Sequence, residues 1–184
     1  MKKYKIIYAD PPWKLSGNVY QDNKRKNRKL SDNYSLLSLT ELKNLPIQSI
    51  CDDDCMLFLW IVGSMLPEAL ELIKDWGFSY STIGFVWVKK TKNNKTCANV
   101  GYWTMGNCAV CLIAKKGKMI QYKQKCNIYQ LVEAERKQHS KKPDEVRNRI
   151  VELMGDIPRI ELFAREKTEG WDVWGNEVES DIEL

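Results

Sequence analysis

Four consecutive residues near the start of the chain, Asp10-Pro11-Pro12-Trp13, bring together groups with a specific chemical use. Two adjacent prolines fix their own φ and remove two backbone N–H donors, so the segment offers a partner only carbonyl acceptors. The Asp10 carboxylate adds a stronger acceptor and Trp13 an aromatic plane. A rigid arc of acceptors beside an indole suits a flat ligand with an exocyclic amino group. The N6 amine of adenine is such a group, with two N–H donors and a π-face. Its lone pair is conjugated into the ring, which makes it a poor nucleophile. Accepting hydrogen bonds from both N–H groups draws the nitrogen toward tetrahedral geometry and stabilises charge that develops during attack. Asp10 need not be a strong base, because the proton becomes acidic only after alkylation. The plainer reading is a rigid turn after a strand, with Trp13 in the core. An adjacent Trp at the start of an α/β sheet favours the chemical one.

Two basic clusters could serve the same chemistry. Residues 24–29 hold five positive charges: Lys24, Arg25, Lys26, Arg28 and Lys29. Following the acceptor segment by about ten residues, they suit a flap that contacts nucleic-acid phosphates. Arg136, Lys137, Lys141 and Lys142 form a second cluster around His139, which we read as a loop residue near substrate phosphate. As the chain's single histidine, His139 leaves no Ser/His/Asp or Cys/His catalysis and no histidine-based metal site. The cysteines suggest no metal either. Cys108 and Cys111 fall in an apolar strand pattern that points them to opposite faces, and Cys51 and Cys55 flank an acidic turn expected to be solvated. Neither glycine-rich phosphate-binding pattern is present.

The elements that must position these groups follow from patterning. With 184 residues, 43% hydrophobic and 29% charged, the chain suits one globular domain. No repeat or linker divides it, so residues 1–176 read as a single domain and 177–184, with four acidic residues, as an acidic tail. The longest apolar run, 55–63, is about half of what a bilayer span needs, and no signal segment appears. A cytoplasmic protein with reduced cysteines is expected.

Strands are predicted at 5–9, 56–62, 78–88, 107–114 and 159–164. A capping box at Ser38 and Glu41 opens a short helix. A second helix over 66–76 buries Leu66, Ala69, Leu70, Ile73 and Trp76 and stops at Gly77. A third begins after Pro143, buries Val146, Ile150, Leu153 and Met154, and closes at Gly155. Residues 89–104 read as a long polar loop and 170–177 as a turn rich in Trp and Gly. Alternating strands and helices, with strands apolar on both faces, give a three-layer α/β sheet. Ligands bind such sheets at the carboxyl ends of strands, where Asp10 and Arg165 fall.

Segments spread along the chain resemble the MT-A70 family of S-adenosylmethionine-dependent adenine N6-methyltransferases. They are Ala9-Asp-Pro-Pro-Trp13, Leu57-Phe-Leu-Trp60, Gly84-Phe-Val-Trp-Val-Lys89, Gly101-Tyr-Trp103, His139-Ser-Lys-Lys-Pro-Asp-Glu145, Ile160-Glu-Leu-Phe-Ala-Arg165 and Gly170-Trp-Asp-Val-Trp-Gly-Asn-Glu177. The resemblance implies a Rossmann-like methyltransferase fold, a mostly parallel sheet with helices on both faces. Its order is permuted, the catalytic motif preceding the cofactor-binding strand. It further implies that Asp10 touches both target amine and cofactor, and that Pro11, Pro12 and Trp13 complete the adenine pocket. Lys142 would contact the cofactor and Arg165 its ribose, with Glu166, Lys167 and Thr168 on the same loop. Asn176 and Glu177 would bond the adenosine. Many members carry other polar residues where Lys167 and Glu177 stand. Some add an acidic cofactor-binding segment upstream, and only nine residues precede Asp10 here.

The implied reaction is methyl transfer from S-adenosylmethionine to adenine N6, the base presented single-stranded or flipped. DNA is preferred over RNA because the chain is compact and lacks a separate RNA-binding module. The rival is a silent nucleic-acid-binding subunit, since a fold need not retain activity. With little room for a recognition domain, target choice would be short or supplied by a protein partner, or by a homodimer. Of the seven tryptophans, Trp60, Trp76 and Trp87 read as core, Trp171 and Trp174 as part of a cofactor turn, and Trp103 has no assignment.

Overall fold

The structure is a computed structural model that describes residues 2–14, 36–101, 103–137 and 141–184. In chain order its strands are β1 (Tyr4–Ala9), β2 (Cys51–Ile61), β3 (Ser79–Lys90), β4 (Asn99–Val100), β5 (Met105–Gly106), β6 (Cys108–Lys116), β7 (Leu131–Glu135), β8 (Arg159–Leu162) and β9 (Asp172–Trp174). The helices are α1 (Leu39–Lys43), α2 (Ile47–Ile50), α3 (Leu66–Asp75) and α4 (Asp144–Met154).

Seven strands form one sheet in the order β7-β3-β6-β2-β1-β8-β9, and β4 pairs with β5 in a separate hairpin. Only β6 runs antiparallel to its neighbours in the large sheet. The carboxyl ends of β1, β2, β3, β7, β8 and β9 therefore share one edge.

Side chains of the central strands alternate between two cores, which is why these strands read as unbroken apolar runs. Leu57, Leu59 and Ile61 join a cluster with Leu42 of α1, Ile47 and Ile50 of α2, and Ala69, Leu72 and Ile73 of α3. Phe58 and Trp60 join the opposite cluster with Val146, Ile150 and Met154 of α4. Helices thus cover both faces of an α/β, Rossmann-like sheet, as the sequence indicated. The capping box is present, with Ser38 N and Oγ both donating to Glu41 and Glu41 N donating to Ser38 Oγ. Gly77 and Gly155 follow α3 and α4.

Several elements differ from expectation. Residues 52–54 are not a solvated turn but a bulge within β2, whose register advances five residues while β1 advances two. Asp52 pairs with Lys5 at 3.0 Å, and Asp54 accepts from Lys118 N at 2.6 Å and Gln121 Nε2 at 2.8 Å. In α3 the buried face is turned: Leu72 is fully buried and Leu66 exposed. In α4, Arg147 is buried beside the apolar positions, while Leu153 is half-buried. The polar 89–104 loop contains β4 and most of the small hairpin, residues 170–177 include strand β9, and β7 carries no apolar run that would announce it.

Residues 177–184 fold back on β9 rather than trailing away. Asp181 N donates to Val173 O at 2.8 Å and Val173 N to Asp181 Oδ2 at 2.9 Å, while Ile182 and Leu184 pack against the core. Among the described residues, no helix is long and apolar enough to cross a membrane.

Candidate active site

Asp10 directly follows β1, and Lys142 directly precedes the Pro143 cap of α4, so both lie at the carboxyl edge of the sheet. Lys142 Nζ reaches Asp10 Oδ2 at 2.5 Å, with the two side chains 11% and 26% exposed. The ammonium also lies 5.3 Å from the centre of the Trp60 ring, whose own Nε1 donates to Tyr8 Oη at 2.7 Å. Two further cations rest on aromatic rings of the same face. Lys89 Nζ is 5.6 Å from the Trp87 ring and Arg147 Cζ is 5.7 Å from the Tyr8 ring. A cation over an indole or phenol face is attracted by the ring quadrupole, most strongly where water is excluded. The edge therefore carries three positive charges on an aromatic floor, with Asp10 among them.

The electrostatics follow from burial. Half-buried Lys89 has its pKa lowered by desolvation first and then by the neighbouring Lys142 charge, with Arg136 adding to the fall and Cys108 and Asp10 opposing it. Burial is the largest single influence on Arg147 and works against its charge, but the hydrogen bonds and charge of Glu161, with Tyr8 and Asp144, together outweigh it and raise the guanidinium pKa. That pair is bidentate, Nε to Oε2 at 2.6 Å and NH2 to Oε1 at 2.8 Å, and both residues are buried. Asp144 completes the cluster, accepting from Arg147 NH1 at 2.8 Å and from Lys137 at 3.1 Å.

Two clefts meet at this point and share Asp10, Phe163, Arg165 and Glu177. One, of about 300 Å³, is walled by Pro12, Leu37, Leu45, Ala164, Trp174 and Asn176. The other, of about 350 Å³, is walled by Lys137, Lys141, Lys142, Arg147, Glu161 and Glu166. To the shared residues the first adds mainly apolar and aromatic side chains with Asn176, and the second adds charges of both signs. A ligand with a flat heterocycle at one end and a zwitterion at the other fits such a pair.

The shared wall depends on an unusual backbone. Phe163 follows β8 with φ of 61°, a left-handed conformation that costs a bulky residue about 1–3 kcal/mol and persists only where its surroundings enforce it. Here the ring meets Trp174 edge-on at 5.4 Å, and Ala164 N donates to Trp174 O at 3.0 Å. Gly175 makes that closure possible, since a Cβ there would stand 2.2 Å from Ala164 O.

Not every residue singled out in the sequence reaches the clefts. Asp10, Pro12, Lys137, Lys141, Lys142, Arg165, Glu166, Asn176 and Glu177 line one or both. Lys141 forms ion pairs with Glu166 and Asp144, and Arg165 Nε lies 3.8 Å from Glu177 Oε1. Lys167 and Thr168 line neither cleft. Lys167 turns toward the folded-back end of the chain, pairing with Asp181 at 3.0 Å, while Thr168 O accepts from Trp171 N. Arg136 lines neither cleft, its backbone N donating to Lys90 O. Residues 24–29 and His139 lie outside the described residues.

The acceptor segment itself needs correction. Trp13 is not an open aromatic plane. It is 6% exposed within the core, and its Nε1 donates to Trp60 O at 3.1 Å. The proline carbonyls are also engaged, Pro11 O by Trp13 N and Pro12 O by Leu37 N, both at 2.9 Å. Each carbonyl has a second lone pair, so the arc keeps acceptor capacity while the indole braces it from behind. The flat walls of the cleft come instead from Phe163 and Trp174.

Sequence reasoning missed Lys89, Arg147, Glu161 and Phe163 as site residues. The first and the last two sit inside segments that carry the family resemblance, so they could have been marked. Arg147 hid in a helical pattern as an ordinary solvent-facing position.

A mostly parallel sheet with one antiparallel strand, helices on both faces and a two-part cleft at its carboxyl edge is a Rossmann-like α/β architecture. The MT-A70 family model matches residues 4–177, and the chain belongs to that family. It is 38% identical to "Type II methyltransferase M.MunI" of Mycoplasma sp, over 96% of this chain and 78% of that protein. It is 27% identical to the human "N(6)-adenosine-methyltransferase catalytic subunit METTL3", over 96% of this chain but 28% of that protein. A Drosophila melanogaster "N(6)-adenosine-methyltransferase MT-A70-like protein" is 25% identical over 96% of this chain and 27% of its own length. MT-A70 methyltransferases use S-adenosylmethionine.

Proposed function

We propose that this protein transfers the methyl group of S-adenosylmethionine to the N6 amine of adenine in nucleic acid, DNA being the preferred substrate. The observation that carries the reading is the position of Asp10, paired with Lys142 where the two clefts join. In this reading Lys142, Lys141 and Lys137 attract the amino acid carboxylate, and Glu161 and Glu166 face its ammonium. Phe163 and Trp174 flank the adenosine, with Arg165, Asn176 and Glu177 bonding its polar groups. The cofactor supplies a methyl carbon made electrophilic by its sulfonium.

The chain's own residues then position and desolvate. Asp10, with the carbonyl oxygens of Pro11 and Pro12, accepts the N–H bonds of the target amine and orients its lone pair. The proton released after transfer passes to the Asp10 carboxylate or to water. The target base reaches this edge single-stranded or turned out of a duplex. The basic segments 24–29 and 136–141 would meet phosphates, and a protein partner or second copy would extend target recognition.

Incubation with labelled cofactor and adenine-containing oligonucleotides tests the reading. The expected product is N6-methyladenine, formed faster in DNA than in RNA. Binding without label transfer would mark a silent subunit. RNA is the second reading, favoured by the adenosine methyltransferase names of the human and fly relatives; preferential labelling of RNA would establish it.

A further inference from the structure

The connection from β3 to β6 leaves the same edge of the sheet as Asp10. Residues 89–107 contain four lysines, 89, 90, 92 and 95, and no acidic residue. A tight turn holds Lys92 and Lys95 outward: Thr91 N donates to Lys95 O at 2.7 Å, Lys95 N to Thr91 Oγ1 at 3.1 Å, and Asn94 has φ of 56°. The hairpin follows, pairing Asn99 with Gly106 and Val100 with Met105. Its tip is shaped by Gly101, where a Cβ would lie 2.2 Å from Thr104 O.

Trp103 stands on this tip, 89% exposed, with Val100 and Met105 also exposed beside it. The other tryptophans at 13, 60, 76, 87 and 171 are buried, and Trp174 is half-buried in the cleft wall. An indole displayed with apolar neighbours in a lysine-only segment combines the two parts of a nucleic-acid contact, a stacking platform and a phosphate-attracting rim. The base of its loop is tied to the same edge as the chemistry. Lys89 O accepts from Cys97 N at 2.7 Å, and the Lys89 charge itself feels Lys142 and Asp10.

We infer that Trp103 stacks on a nucleobase beside the target adenine while Lys92 and Lys95 contact the phosphates of that strand. This rests on the proposed nucleic-acid reading and extends it to a contact outside the cofactor clefts. Extruding an adenine leaves its neighbours unstacked, and an aromatic face replaces part of the lost stacking irrespective of sequence. A protein partner would offer an apolar pocket to the same indole, but the outward charges of the loop, Lys92 and Lys95, stand in a segment without an acidic residue and favour a polyanion, while Lys89 and Lys90 belong to β3 and Lys90 is already paired with Glu133.

The test uses the whole chain with Trp103→Ala, Trp103→Phe and the pair Lys92→Ala and Lys95→Ala. Oligonucleotide affinity is read by fluorescence anisotropy across salt concentrations, cofactor affinity by calorimetry, and mass by light scattering. Trp103→Ala is expected to weaken oligonucleotide binding and raise its KM about tenfold, with cofactor affinity unchanged. Trp103→Phe should recover most of the loss. The lysine pair should flatten the log–log salt slope by about two. Wild-type transfer with an unchanged KM in Trp103→Ala would overturn the contact alone. So would a wild-type dimer that Trp103→Ala separates, since the indole would then serve a protein interface. A wild-type chain that neither binds nor methylates any oligonucleotide would overturn the underlying reading together with this contact.

Discussion

Lys142 Nζ and Asp10 Oδ2 lie 2.5 Å apart although 132 positions separate them in the chain. The pair ties the end of the first strand to the start of the last helix. It also holds the carboxylate in one orientation at the junction of both clefts. Lys142 is kept there by the Trp60 ring beneath it, so a loss at either residue is felt by the other.

Replacing Asp10 removes the charge that the target amine would meet. Asp10→Asn and Asp10→Ala should each lower methyl transfer by about 10²–10³-fold or more, the scale seen when one preorganised transition-state contact is lost. Far-UV circular dichroism should be unchanged. Full activity in Asp10→Ala would remove Asp10 from the catalytic role.

Arg147 and Glu161 form a buried bidentate pair, and breaking one side strands the other charge. Arg147→Met should cost about 3–5 kcal/mol by denaturant unfolding, because Glu161 is left buried without its partner. Adding Glu161→Leu should recover much of that loss. The double variant should nevertheless bind S-adenosylmethionine poorly by calorimetry, since both residues wall the charged cleft.

Lys89 pits stability against function. Its folded pKa is below the ordinary 10.5, through burial first and then through Lys142. Between the folded and unfolded values the unfolded chain binds more protons, so stability rises with pH across that window. Below it, the cost of burying the cation is present in full. Lys89→Met should therefore raise Tm at neutral pH and abolish the alkaline rise, while lowering transfer. A Tm that falls at neutral pH would show that the cation–aromatic contact outweighs desolvation.

Gly175→Ala places a methyl group against backbone rather than against a flexible side chain. The strand ends of β8 and β9 must then separate, and with them Phe163 and Trp174. Tm should fall, and affinity for S-adenosylmethionine should fall more steeply than for a substitution on the exposed face. Wild-type affinity in this variant would detach the Phe163–Trp174 wall from cofactor binding.

The fold was largely legible because its central strands must be apolar on both faces, and runs such as 56–62 declare that directly. Edge strands declare nothing comparable: β7 exposes alternate residues, and β9 is three residues amid Trp and Gly. At the site, Asp10, Lys142 and Arg165 announced themselves by motif. Trp13 did not behave as its type suggested, because an indole can brace a loop from the core as readily as it can face a ligand. Arg147 was hidden since burial of an arginine depends on a carboxylate fourteen positions away. Phe163 lies in a motif segment, but its left-handed backbone has no sequence signature, being imposed by tertiary contacts.

Asp181 and Val173 exchange hydrogen bonds much as neighbouring strands do. Asp181, by its backbone and its carboxylate, thus takes up the outward N–H and C=O of Val173 that the flank of β9 would otherwise offer to another chain. An open flank is a template for intermolecular strand addition, and acidic side chains beside it repel a second copy. The acidic segment 177–184 lies along that flank as a selvedge, covering one side of the sheet.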